Sequence, residues 1–209
     1  MDGRRILALC AHPSPQRSEI TRPLAQRARA HPAVTLVDLY GEYPDYRIDV
    51  DREQQRLREH EVLLFLFPLY WYSTPAILKE WQDLVLEYGF AYGSEGRALA
   101  GKFFICALSA GGPEAAYRAG GYNHYRLREL LRPLEQTARL CHLHYLPPFA
   151  LFGARTALRD GRLEGHLARF EALLRILATG DLLPWAGRDA DTCNALLPAD
   201  TAPSTESPA

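Results

Sequence analysis

The sequence predicts an α/β domain in which helices cover both faces of a five-stranded parallel sheet, a doubly wound three-layer sandwich. Three observations carry that expectation. Short apolar runs alternate with longer segments of helical period, the pattern of repeated βαβ crossovers. The runs are continuously apolar, as in "VLLFLF" at 62–67, which is how a strand buried on both faces reads. The chain has 209 residues, enough for one domain with a full core and too few for two comfortable ones.

In chain order, strands are expected at "RILALC" (5–10), "VTLVDL" (34–39), "VLLFLF" (62–67), "FFICALS" (103–109) and "HLHYLPP" (142–148), the last being the weakest pattern. Helices are expected near 19–30, 51–60, 75–87, 124–139 and 163–178. In the third of these, Ile77, Trp81, Leu84, Val85 and Tyr88 follow helical spacing and should form its buried face. Lys79 and Asp83, four apart, should pair on its surface. The domain is placed at residues 1–183. From Pro184 the composition turns to Ala, Pro, Asp, Ser and Thr without sustained period, so 184–209 reads as a poorly ordered tail in which Trp185 and 195–197 could dock on the domain or on a partner subunit.

Composition excludes several classes. Lys and Arg total 24 against 25 Asp and Glu, which leaves no basic field for nucleic acid. The four cysteines, Cys10, Cys106, Cys141 and Cys193, are widely spaced and read as reduced, buried side chains. No segment has the build of a signal peptide, and no apolar window approaches the ~18 residues of a membrane span, so a soluble, cytoplasmic protein is expected. "GRALAGK" at 96–102 imitates a phosphate-binding loop, yet Phe103 stands where the magnesium-binding hydroxyl belongs and the motif precedes a strand. His142 and His144 share a strand face beside Cys141 without a second spaced pair, so no metal site is expected. The G-x-S-x-G hydrolase elbow is missing.

Ligands of open α/β sheets bind beyond the carboxyl ends of the strands, where strand order reverses. After strand 1, "AHPSPQRSEITRP" has no G-x-G-x-x-G but offers His12, Ser14, Ser18 and Thr21 ahead of a helix start, a site for a phosphate; Ser18 also suits a helix cap. After strand 3, Trp71 and Tyr72 lie between Pro68 and Pro75 and precede the periodic segment, so helical burial does not explain them. After strand 4, "SAGGPEAAYRAGGYNHYR" has two Gly-Gly pairs that permit close backbone approach, with Tyr117 and His124 as a phenol and an imidazole able to donate to developing charge. The three loops converge if the strand order is 2-1-3-4-5. Together they describe a flat, phosphorylated cofactor held at its edge by backbone and across its face by rings, which is a flavin.

With these motifs the sequence resembles the flavodoxin-like NAD(P)H:quinone oxidoreductases, and it is especially similar to the small branch containing the ancillary subunits of glutathione-gated potassium efflux systems. The resemblance covers roughly residues 4–178 and rests on "AHPSPQRSEITR", "PLYWYSTPAILKEWQDLV", "GFAYG" at 89–93, "GKFF", "SAGG" and "LPPF". It implies a flavodoxin-like sandwich with His12, Ser18, Glu19, Ile20 and Thr21 at the flavin phosphate. Pro68, Leu69, Tyr70 and Trp71 would border the isoalloxazine, Tyr72 would face the substrate, and the backbone of Ser109, Ala110, Gly111 and Gly112 would bond the ring edge. Tyr117 matches a tyrosine that stabilises the reduced flavin in larger members; the accompanying histidine falls by counting at Asn123, next to His124. The implied chemistry is two-electron, ping-pong hydride transfer from NADPH or NADH through FMN, with FAD as the alternative, to a quinone-type small molecule. The resemblance also implies a homodimer with rings such as Tyr88, Phe90 and Tyr92 exposed at the subunit boundary. A regulatory role beside a potassium efflux transporter, peripheral on the inner membrane, is the alternative it implies.

Overall fold

The first apolar run becomes β1 (Ile6–Cys10), and its side chains divide between the two layers packed on the sheet. The computed structural model describes residues 3–197. After β1 come α1 (Thr21–Ala30), β2 (Val34–Asp38), the single turn α2 (Leu39–Glu42), α3 (Val50–Glu59), β3 (Val62–Pro68), α4 (Ala76–Val85) and β4 (Phe103–Ser109). The short helices α5 (Leu127–Leu130) and α6 (Arg132–Leu140) follow, then β5 (His144–Tyr145), β6 (Phe149–Leu151) and α7 (Arg162–Thr179). All pairings are parallel, and the order is β2-β1-β3-β4-β5, with β6 also on β4. This is the expected flavodoxin-like sandwich, with order reversal between β1 and β3.

The fifth expected strand is two short ones on the same edge. Leu146 N–H still reaches the Phe104 carbonyl at 2.8 Å, but Pro147 and Pro148 have no N–H to donate, and pairing resumes only at Phe149 opposite Ala107. Along β1, Leu7 and Leu9 join the core with α3, α4 and α6, whereas Ile6, Ala8 and Cys10 join the core with α1 and α7. Both layers are therefore set by the period of two.

Three helix expectations need correction. The segment 124–139 is broken: α5 ends at Leu130 and α6 restarts at Arg132, because Pro133 cannot donate to a continuing helix and is tolerated only in a first turn. On α4, Ile77, Trp81 and Val85 are buried, but Leu84 lies at the edge of the buried stripe and is exposed. Tyr88 falls beyond the helix end and is exposed, so the periodic face stops one turn earlier than the spacing suggests. Phe90, expected at an exposed boundary, is instead buried beneath the Arg58 guanidinium, 4.8 Å from the ring centroid. Lys79 and Asp83 pair on the surface as expected.

A buried carboxylate ties α3 to α4. Glu53 has no exposed surface and accepts from Tyr43 Oη at 2.7 Å, from Trp81 Nε1 at 2.9 Å and from Arg56. Its lone pairs are used, which is what a buried charge requires. The four cysteines are free and buried, and burial pushes the thiols up, to about 12 at Cys10 and Cys193. Among the described residues there is no cluster of metal-ligating side chains, and no helix is long and apolar enough to cross a membrane.

Of the segment from Pro184, residues 184–197 dock on the domain itself. Cys193 N–H donates to Pro148 O at 2.8 Å, and the Asn194 amide mimics a strand, accepting from Ala150 N–H at 3.1 Å and donating to Ala150 O at 2.7 Å. Cys193 and Leu197 enter the core, and Arg126 pairs with Asp191. The strap covers the β6 edge, whose backbone groups would otherwise be open to another strand. The rest of the expected tail, 198–209, lies outside the described residues.

Candidate functional site

The loops after β1, β3 and β4 meet in a cleft of about 1010 Å³ at the carboxyl end of the sheet. After β1 the chain makes a short 3₁₀ turn (Pro15–Arg17) and enters α1 through the N-cap Ile20, while Ser18 Oγ, two residues earlier, accepts from Arg22 N–H at 3.2 Å. Ser18 is thus not the N-cap residue, but it satisfies one first-turn N–H and also lines the cleft. The N–H groups of Glu19, Ile20 and Thr21 have no acceptor among the described residues. Three consecutive free donors at the start of a ten-residue helix form an anion cradle. His12 closes its other end. Its Nδ1 accepts from Ser14 N–H at 3.0 Å, so the proton sits on Nε2, which is 3.3 Å from Tyr70 Oη. Burial pushes the His12 pKa below the usual histidine value, keeping the ring neutral.

The loop after β3 is a two-residue hairpin turn: Tyr70 and Ser73 exchange backbone hydrogen bonds at 3.1 and 3.0 Å. Its central residues, Trp71 and Tyr72, have φ of 48° and 64°. Such turns favour Asn-Gly, because the left-handed region costs other residues about 1–2 kcal/mol each. Here two large aromatics occupy it, and Trp71 is 93% exposed. Strain of this kind persists where the surrounding structure enforces it, commonly at functional sites.

Opposite lies the glycine loop. Ser109 is buried and its carbonyl accepts from Leu69 N–H at 2.8 Å, joining the loops after β3 and β4. Gly111 and Gly112 line the cleft with N–H groups that have no backbone acceptor among the described residues. A Cβ on Gly112 would come within 3.3 Å of the Tyr117 ring. Tyr117 is buried against Phe152, and burial pushes its phenol above the usual tyrosine value, so Oη keeps its proton at neutral pH. Across the cleft, Tyr72 Oη donates to Asn123 Oδ1 at 3.2 Å.

Residues 4–174 match the family model described as a flavodoxin-like fold. The chain belongs to the flavodoxin-like family. Among its relatives, the glutathione-regulated potassium-efflux system ancillary protein KefG of Serratia proteamaculans is 47% identical over 184 residues, covering 88% of this chain and 97% of that protein. The solved structure of general stress protein 14 from Treponema denticola, in complex with FMN, superposes with a TM-score of 0.78 at 38% identity, covering 83% of this chain and 99% of that one. An NADPH-quinone reductase from P. pentosaceus has a TM-score of 0.73 at 30% identity, covering 81% of this chain and 96% of that one.

In this flavodoxin-like cleft the structure gathers His12, Ser18, Glu19, Ile20, Thr21, Pro68, Leu69, Tyr70, Trp71, Tyr72, Ser109, Gly111, Gly112 and Tyr117. Two expected residues stay out of it. Ala110 is fully buried, its N–H spent on Leu151 O at 2.8 Å and its carbonyl accepting from Ala154 N–H at 3.0 Å, so its N–H is not available to a ring edge. His124 is an exposed residue with φ of 63° that does not line the cleft; its neighbour Asn123 does, as the one-residue offset implied.

Two contributors carry no sequence signal. Ala154 and Arg155 reach the cleft because β6 extends along β4, with Gly153 N–H donating to Gly112 O at 2.7 Å. That contact spans some forty residues of chain and no motif marks it. Arg17 lines the cleft beside the free N–H groups, and an arginine before a helix start could have been counted as part of the anion site.

Proposed function

We propose that this chain is an FMN-dependent NAD(P)H:quinone oxidoreductase. The observation that carries the reading is the pairing of one anion cradle with one flat slot. Free N–H groups of Glu19, Ile20 and Thr21 line the same cleft as the Trp71–Tyr72 turn and the Gly111–Gly112 loop. That donor set fits a flavin mononucleotide, with Arg17 adding charge for the phosphate and His12 and Tyr70 on the same lining. The FMN complex of the Treponema denticola relative supports FMN over FAD.

Bound there, the flavin supplies two-electron hydride chemistry between a nicotinamide donor and a quinone. The chain's own residues orient and exclude. Pro68–Trp71 and Ser109, Gly111 and Gly112 border the ring, Tyr72 faces the substrate, and Tyr117 holds a proton at Oη where charge develops. Ala110 acts by fixing the loop, and Asn123 rather than His124 lines the slot. A second copy of the chain completes the slot by covering the exposed rings of Trp71, Tyr88, Tyr122 and Tyr125.

The test separates phosphate from ring. Flavin-free protein should bind FMN at least a hundredfold tighter than riboflavin in a fluorescence titration, and equal affinities would contradict the cradle. Trp71→Ala should keep its flavin yet lose quinone turnover; unchanged turnover would remove Trp71 from the substrate face. The relatedness to ancillary proteins of potassium efflux systems favours a second reading, a regulatory flavoprotein held at the inner membrane by a transporter. Co-purification with such a transporter together with negligible quinone turnover would select it.

A further inference from the structure

A second cleft, of about 640 Å³, shares Gly111 and Pro113 with the first and is otherwise built from β6, the loop after it and the start of α7. Arg162, His166 and Arg169 stand at i, i+4 and i+7 and line it from one face of α7, with Gly165 leaving room between them. The N–H groups of Leu163 and Glu164 have no backbone acceptor among the described residues, so this end of an 18-residue helix adds donors and positive potential.

The decisive feature is His166. Its ring is buried and stacked on Phe149 with centroids 4.2 Å apart, and Nε2 has no hydrogen-bond partner. Buried polar atoms are rarely left so. The comparably buried His60 uses both ring nitrogens, on Arg56 O and Thr35 Oγ1, each at 2.7 Å. Ion pairs around α7 engage Arg27, Glu164, Glu171, Asp160 and Arg162, and Arg169 has no ion-pair partner among the described residues. Arg162 is occupied with the carbonyls of Phe152 and Gly153, so it contributes field more than contact. Glu114 is the acidic residue on the lining, and the cleft remains positive. At the junction, Arg155 Nε lies 3.7 Å from where a Cβ on Gly111 would stand.

We propose that this second cleft binds the 2′-phosphate end of the nicotinamide donor, with His166, Arg169 and the start of α7 as its ligands, so that NADPH is preferred over NADH. The donor runs from the first cleft over the Gly111–Pro113 loop, its pyrophosphate passing Arg155. A phosphomonoester carries up to two charges and three acceptor oxygens, which suit a guanidinium, one imidazole N–H and free helix N–H groups. Leu151 and Phe152 supply apolar wall for the adenosine, and the volume falls in the usual range for such ligands. The inference rests on the oxidoreductase reading of the first cleft.

The experiment uses flavin-loaded protein. Calorimetry compares 2′,5′-ADP, 5′-AMP and inorganic phosphate, and steady-state kinetics give the ratio of kcat/KM for NADPH to that for NADH. Binding of 2′,5′-ADP should exceed that of 5′-AMP at least tenfold, and Arg169→Gln should remove about tenfold of it and lower the NADPH to NADH ratio by a similar factor. His166→Phe, which keeps the stack, should do the same; if it fails to fold, Arg169→Gln decides alone. Equal binding of 2′,5′-ADP and 5′-AMP, or an unchanged ratio in Arg169→Gln, overturns the proposal. Inorganic phosphate binding as tightly as 2′,5′-ADP also overturns it, in favour of a free-anion site. Failure to take up flavin would be seen in the absorbance spectrum and would refute the first-cleft reading separately, because calorimetry needs no turnover.

Discussion

Trp71→Asn should make the flavin-free protein more stable while making it a worse enzyme. At φ of 48° the native tryptophan occupies a backbone region that costs a non-glycine residue about 1–2 kcal/mol, and asparagine tolerates that region far better. The side chain is 93% exposed, so its removal forfeits almost no burial within the subunit. The net expectation is a gain of about 1 kcal/mol, or roughly 2–4 °C in Tm for a chain of this size. Thermal unfolding of the flavin-free protein at two concentrations measures it, the concentration series exposing any burial of the indole by a second copy. Quinone turnover of the flavin-loaded variant should fall at least tenfold. A loss of stability that is independent of concentration would show that the turn is not strained, and unchanged turnover would show that the strain serves no function.

Further expectations concern the frame around the site. Glu53→Ala leaves Arg56 without its buried partner and frees two more donors, so chemical denaturation should show a loss of about 3–5 kcal/mol. Asn194→Ala uncovers the backbone of Ala150 and should cost about 2 kcal/mol, while truncation after residue 183 should cost more and promote self-association through the β6 edge. His166 gives a pH signature: burial lowers its pKa from 6.5 to about 4, so the folded state resists a proton that the unfolded chain accepts. The associated stability is present above pH 6.5 and is lost as pH falls, at about 1.4 kcal/mol per pH unit, reaching about 3 kcal/mol near pH 4. Comparing wild type with His166→Phe across that range should isolate this slope.

The sheet was legible because β1, β3 and β4 are buried on both faces and read as continuous apolar runs; of the two edges, the one interrupted by Pro147 and Pro148 was ambiguous in extent. The loops of the site were legible for a related reason, since loops at the carboxyl ends of neighbouring strands must converge wherever the order reverses. What could not be read were consequences of tertiary contact. Nothing local announces that "WY" will take a turn suited to Asn-Gly, that Arg155 will be carried in by β6, or that α4 ends before Tyr88. His124 and Asn123 differ by one place in an irregular loop, where no periodicity distinguishes the residue that turns inward from the one that does not.

The central claim is that the cleft holds a flavin that a nicotinamide donor reduces. The most direct test is the absorbance spectrum of the purified protein after FMN is supplied and excess removed, followed by anaerobic addition of NADPH. The account predicts a retained flavin band near 450 nm, roughly one FMN per chain, that bleaches on adding NADPH and returns on adding a quinone. A protein that stays colourless, or a bound flavin that NADPH fails to bleach, would contradict it.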